Sequence, residues 1–518
     1  MNSPIHVSDS PVVAAPPLSP EARSPGRRRI TSRGFLADLA RMGGMQMSLA
    51  VAGLLRYKVL ALRLGSSGLG EYQQLVTAAG TATVVVSFGL AFALNRNIAT
   101  ARDAEHRQQL LATSNTIIWT ITGVVYLSCF AALAFDPGLV DRIGVKATPS
   151  VIATLVILLI GIPFETLKTN LVSFLMASLD VRGVTSRRSV AVLAATVIST
   201  PVVWLFGPVG AAIQSVVVNL GLVAALGIRC RQLGYAPFRL RLDRQCATVL
   251  AAFGVAQLFA GFVQQFLDLV VRTHLITQYG ASQNGFYQSS LLLAGQVQTI
   301  LSGVASYALG SLGNERDRAH ATASSNLLLR TVLPVATLAF AGIGILAKPL
   351  LVLLYSSSFT GAVAFFPFVL ATMFLEAVVW VIDAPLLAHR GVRIWVLVNV
   401  TYCSARAVAA IALLPLIGPT GVAVGYFAAM CLYLSMHVYV FTRVLGLAID
   451  RTHFRNMALG LALILGTALP VSGTSPVLLR YLVAISLYLA YFVFIVHDTV
   501  GISAARNFVR RLRPESAT

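Results

Sequence analysis

A small set of charged and amide side chains lies inside otherwise apolar stretches of this sequence. Arg56 and Lys58 share one stretch, Glu165 and Lys168 a second, Asp268 and Arg272 a third, Glu376 and Asp383 a fourth, and Arg406 lies in a fifth. Gln264, Gln265, Gln296 and Gln298 accompany them. Ionisable groups in apolar helices are costly and mark binding sites or ion pathways by default. Arg56 precedes Gly65 by nine residues and Arg272 precedes Gly280 by eight, which puts both at a depth of ~13 Å at helical rise. Two guanidiniums facing one chamber suit a phosphate-bearing anion, because the planar fork matches phosphate oxygens.

The same residues admit plainer roles. Asp268 with Arg272, and Glu165 with Lys168, have the spacing of intrahelical pairs that neutralise each other. Lys58 either faces the chamber or snorkels along its helix. Glu376 and Asp383 lack a basic partner on their own helix, so they are either coupling sites for protons or cations, or partners of Arg406. The glutamines are either hydrogen-bond partners for sugar hydroxyls or helix-to-helix glue. His274 reads as an interfacial residue rather than a ligand.

Such charges need long apolar helices to hold them. The chain has 518 residues, is 57% hydrophobic and only 11% charged, against ~25% in soluble domains. Continuous apolar runs of ~20 residues, rather than short alternating segments, predict an all-α polytopic membrane protein and not a β-barrel. About fourteen spans are expected, from 42–64 and 71–95 through 248–278 and 286–312 to 456–473 and 477–497.

Two echoes organise these spans. Gly65, Ser67, Gly70, Tyr72 and Gln73 align without gaps on Gly280, Ser282, Gly285, Tyr287 and Gln288 at an offset of 280 − 65 = 215, and Ala79, Gly80 and Ser87 continue in register with Ala294, Gly295 and Ser302. Leu205, Gly207, Pro208, Gly210 and Ala212 align on Leu416, Gly418, Pro419, Gly421 and Ala423 at 418 − 207 = 211. In the first register Arg56 falls on Val271 and Lys58 on Thr273, so the basic lining is not duplicated. The echoes predict two six-helix bundles, each entering the membrane in the same direction, related by an axis along the bilayer normal and enclosing a central cavity.

The predicted organisation is a disordered basic cytoplasmic arm over 1–40, a first bundle over 41–229, a basic linker over 230–247, a second bundle over 248–445, two extra spans over 446–498 and a basic tail over 499–518. No apolar run near the start reads as a signal peptide. The net charge of +20 sits mainly in alternate loops, so both termini are expected in the cytoplasm and nucleic acid is not expected as a partner. The five cysteines are scattered with no C-x-x-C, and there is no P-loop, dinucleotide fingerprint or nucleophile–base arrangement. Neither a metal, nor a cofactor, nor an enzyme activity is expected.

The motifs G-S-S-G-L-G-E-Y at 65–72, G-A-S-Q-N-G-F-Y at 280–287, G-P-V-G-A-A at 207–212 and G-P-T-G-V-A at 418–423 resemble the polysaccharide-export (Wzx-like) branch of the multidrug/oligosaccharidyl-lipid/polysaccharide transporter superfamily. The resemblance covers about 35–500. It implies a bacterial inner-membrane flippase that moves undecaprenyl-pyrophosphate-linked oligosaccharide by alternating access. A polysaccharide polymerase and a chain-length regulator would be its partners, beside membrane lipids. On that reading Arg56, Lys58, Lys168, Gln264, Asp268, Arg272 and Gln296 contact substrate, and Glu165, Glu376 and Asp383 serve coupling. The rivals are a cation-coupled multidrug exporter of the same fold, a lipid II flippase, a membrane glycan polymerase or ligase, and a non-transporting scaffold.

Overall fold

The computed structural model describes residues 32–101, 103–178, 180–312, 318–388, 392–472 and 477–495. Most of the expected arm and the whole expected tail lie outside them. The chain divides at Met42, and the packing below is that of the unit beginning there.

Every described element is helical: α1 (Ser32–Ser87), α2 (Leu90–Thr100), α3 (Ala104–Phe135), α4 (Pro149–Ala177), α5 (Val181–Gln232), α6 (Arg244–Tyr279), α7 (Ala281–Leu312), α8 (Arg318–Leu354), α9 (Phe366–Ala388), α10 (Val392–Ile417), α11 (Gly421–Tyr439), α12 (Arg451–Ser472) and α13 (Val477–Ile495), with short 3-10 turns between some of them. Among the described residues, eight stretches are long and apolar enough to cross a membrane, or nine with the bent α1–α2 pair. The chain is an all-helical, multi-pass membrane protein. Helix starts at Ser32, ten residues before the first expected span.

Two of the apolar stretches, Gly183–Gln232 and Arg393–Val444, run 50 and 52 residues. At helical rise that is ~75 Å, more than twice a ~30 Å hydrocarbon core, so each has to fold back. The glycines of the second echo are where they do. Gly207 has φ 57° and Gly418 φ 73°, a left-handed conformation that side chains with a Cβ resist. Three residues on in each case, a Cβ on Gly210 would overlap the Val202 carbonyl and one on Gly421 would meet the backbone of Leu413. These two contacts superimpose at the same offset of 211. In the second hairpin Gly425 extends the close approach against Ala409 and Ala410, giving a small-xxx-small seam between α10 and α11.

The buried apolar residues form two main clusters. One joins the second part of α1 from Leu75, then α2, α3 and α4, the stretch from Ala212 to Cys230, and the start of α6 to Leu250. The other joins α6 from Val271 to α13 and takes in Leu60, Ala61, Leu69, Tyr72, Val203 and Ala211. Helices α12 and α13 pack on each other and on α8. The basic linker is tied down: Asn115 Nδ2 donates to the Pro237 carbonyl at 2.8 Å, Gln108 Nε2 to that of Ala236 at 3.0 Å, and Tyr235 packs edge-on against Phe174.

Candidate functional site

The two hairpins of the first echo meet each other. Helix α1 breaks at Gly65 (φ 66°) and α6 ends at Gly280 (φ 87°), so these two glycines make the turns. Gly70 and Gly285 do something else. A Cβ on Gly70 would overlap the Ala281 carbonyl, and one on Gly285 would overlap the Ser66 carbonyl. Ala281 is Ser66 plus 215, so the contact is reciprocal and maps onto itself under the repeat. Asn284 Nδ2 ties the junction by donating to the Gly70 carbonyl at 2.8 Å. Away from the tip, a Cβ on Gly80 would lie 3.5 Å from Gln265 Oε1 and one on Gly53 3.8 Å from Gln296 Oε1. Each hairpin therefore packs crosswise on the other.

Each arginine reaches the second helix of its own hairpin. Arg56 Nη2 donates to Tyr72 Oη at 3.3 Å, and Tyr72 Oη donates to the Ala211 carbonyl. Arg272 Nη1 and Nη2 donate to Asn284 Oδ1 at 3.2 Å and Gln288 Oε1 at 2.7 Å, with the guanidinium 5.5 Å from the Tyr287 ring centre. Among the described residues no carboxylate pairs with Arg56, Lys58 or Arg272, and Arg56 Nε is buried without a hydrogen-bond partner.

The other candidate intramembrane charges have polar partners. Asp268 does not pair with Arg272, four residues on. Its Oδ1 accepts from Arg406 Nη2 at 2.5 Å and from Tyr426 Oη at 2.8 Å. Arg406 also lies over the Tyr402 and Tyr426 rings. Lys168 Nζ lies 2.6 Å from Glu165 Oε1 and donates to Asn219 Oδ1 at 3.2 Å. Glu376 Oε2 accepts from Gln298 Nε2 at 2.5 Å. Asp383 accepts from Trp395 Nε1 at 2.8 Å and faces His437 Nε2 at 3.3 Å. Neither Glu376 nor Asp383 pairs with Arg406. Gln264 is exposed, and Gln296 Nε2 donates to the Leu292 carbonyl of its own helix at 2.9 Å.

Sequence reasoning left out Tyr426, Trp395, His437, Asn219 and Asn284. The partners named above lie 12 to 214 residues away, so spacing along one helix gives no sign of them. Gln288, by contrast, stood in register with Gln73.

No family model and no curated protein matches the sequence. Solved structures do. A lipid II flippase, MurJ, in an inward closed conformation is similar over 89% of this chain and 99% of its own, at 15% identity and a TM-score of 0.64. A MOP superfamily transporter from Pyrococcus furiosus is similar over 79% and 95%, at 12% identity and a TM-score of 0.59. A eukaryotic MATE transporter is similar over 83% and 98%, at 16% identity and a TM-score of 0.58. The chain has the fold shared by these MOP superfamily transporters.

Proposed function

We propose that the chain is a flippase for polyprenyl-pyrophosphate-linked oligosaccharide units in a bacterial inner membrane. It works by alternating access, with both termini in the cytoplasm and two six-helix bundles swinging about a central cavity. The observation that carries this reading is the contrast among intramembrane cations. Lys168 and Arg406 are neutralised by carboxylates, whereas Arg56, Lys58 and Arg272 are held by tyrosines and amides or have no polar partner. These three are half-buried, and intramembrane cations with no carboxylate paired to them leave charge for a ligand. A pyrophosphate supplies both the charge and the acceptor oxygens, while its prenyl chain stays in lipid. The shared fold with a lipid II flippase supports a lipid-linked cargo, and lipid II itself is one such cargo. Arg56→Ala and Arg272→Ala, expressed at the level of the parent, are expected to abolish surface polysaccharide. Normal polymer in both would overturn the site.

A second reading, a cation-coupled multidrug exporter, draws on the buried carboxylates. Glu376 is held by Gln298, and Asp383 is held between Trp395 and His437. Sensitivity to toxic organic cations in a deletion strain, with polysaccharide unchanged, would favour it.

A further inference from the structure

A cavity of ≈ 200 Å³ opens inside the first half, between α1, α2, α3 and α4, against the far end of the second helix of the Arg56 hairpin. It lies at the break after Ser87, where Phe88 and Gly89 both have positive φ and α2 starts at Leu90. Non-helical backbone at membrane depth is tolerated where it lines a cavity, so the break and the cavity account for each other.

The polar lining is one-sided. The Thr83 hydroxyl donates to the Ala79 carbonyl, that of Ser87 to Val84, that of Thr166 to Ile162 and that of Thr169 to Glu165. Each hydroxyl proton is thus spent on its own helix, and its lone pairs remain. The Asn170 amide follows the same pattern. Nδ2 donates to Ser114 Oγ at 2.7 Å and to Asn115 Oδ1 at 3.2 Å, while Oδ1 is buried with no hydrogen-bond partner. Asn170 itself is 1% exposed. A buried acceptor left unpaired costs ~1–3 kcal/mol, so this wall is built to meet donors. Glu165 adds a carboxylate, and its charge is already balanced by Lys168 at 2.6 Å.

We propose that this cavity is a subsite for one neutral, hydroxyl-rich ring, a single sugar residue, with Asn170 Oδ1, Glu165 and the threonine oxygens accepting its hydroxyl protons. The lining side chains offer a phosphate no free donor. The Glu165–Lys168 pair leaves no net charge to draw a free cation. The walls made by Val84, Leu90 and Ile118 suit the apolar C–H face of a pyranose. The volume lies below the ~300–1,000 Å³ of most ligand pockets, which fits one ring rather than a chain. The role of that sugar as transported cargo rests on the flippase reading above; its binding does not.

The test is saturation-transfer NMR on the full-length protein in lipid nanodiscs. The probes are the methyl glycosides of glucose, galactose, mannose and N-acetylglucosamine, with tetramethylammonium as the cationic control. At least one glycoside is expected to give a signal. The signal should vanish in Ile118→Trp, which fills the space, and fall several-fold in Thr83→Val, which keeps the shape and removes an acceptor. Silence from all four glycosides, an undiminished signal in both variants, or signal from tetramethylammonium alone would overturn the site. Sugar binding without lipid-linked transport would leave this site standing and remove the flippase reading. Transport without sugar binding would do the reverse.

Discussion

Asn284 Nδ2 lies 2.8 Å from the carbonyl oxygen of Gly70, across 214 residues of sequence. This bond joins the two copies of one motif at the point where each copy removes a Cβ to admit the other's backbone. Arg272 donates to the same Asn284 side chain. The cation proposed to hold substrate and the latch between hairpins therefore share a residue, and on that proposal a ligand that recruited Arg272 would also act on the latch.

Gly70→Ala is expected to pry the junction open, because the added methyl has to displace the Ala281 carbonyl. Overpacking of this kind costs ~1–3 kcal/mol. Thermal unfolding in detergent reports it: the variant should melt below the parent. Equal melting temperatures would show that the hairpins do not need this approach.

The Asp268–Arg406 pair predicts strong non-additivity. Asp268→Asn alone leaves the Arg406 guanidinium buried without its counter-charge, and such losses cost ~3–5 kcal/mol. Asp268→Leu with Arg406→Met removes both charges and is expected to recover most of the lost stability. Thermal unfolding in detergent measures all of these variants. If Asp268→Asn melts with the parent, the pair does not hold α6 to α10.

Acid should loosen the start of α5 from its far end. Asp180, at the start of α5, receives two hydrogen bonds from Arg229, at 2.5 and 2.9 Å. Those bonds, with the Gly183 N–H, hold its carboxyl below the usual carboxylate range. A depressed folded-state value stabilises the fold above the unfolded value and loses that contribution as pH falls through the folded one. The parent should therefore lose melting temperature below pH ~4, and Asp180→Asn should show a shallower acid limb from a lower starting point. Identical acid limbs would contradict the assignment.

The seam between α10 and α11 gives a packing prediction. Gly425→Leu sets a large side chain against the Ala409–Ala410 backbone, so it should lower folded yield sharply, whereas Leu432→Ala, on an exposed position of α11, should leave it unchanged. Fluorescence-detected size exclusion reads both.

Much of this architecture was legible in the residues. Apolar runs located the helices, and fixed offsets between glycines located the paired hairpins. What the offsets did not say is which glycine does what. Gly65 and Gly280 turn the chain, while Gly70 and Gly285 admit a neighbour's backbone, and only the neighbour's position separates the two duties. The charges were harder to read for the same reason. The spacing of Asp268 and Arg272 fits an intrahelical pair, yet Asp268 binds Arg406, 138 residues away, and Arg272 takes neutral amides on the next helix. A helical wheel registers neighbours within a helix and is blind to the partner across it. Asn170 lay in plain view as well, but its unpaired oxygen exists only because Ser114 and Asn115 take up its amide protons.

The central claim is that Arg56 and Arg272 hold an anionic head group during its passage. The direct measurement is the rate at which purified protein in proteoliposomes exposes undecaprenyl-pyrophosphate-linked glycan on the opposite leaflet, for the parent, Arg56→Gln and Arg272→Gln. The account predicts transport by the parent and a loss of at least ~10-fold in each variant, as removal of ~1.4 kcal/mol of charge-assisted binding requires. Parent-level rates in both variants, or uptake of an organic cation with no lipid-linked glycan moved, would contradict it.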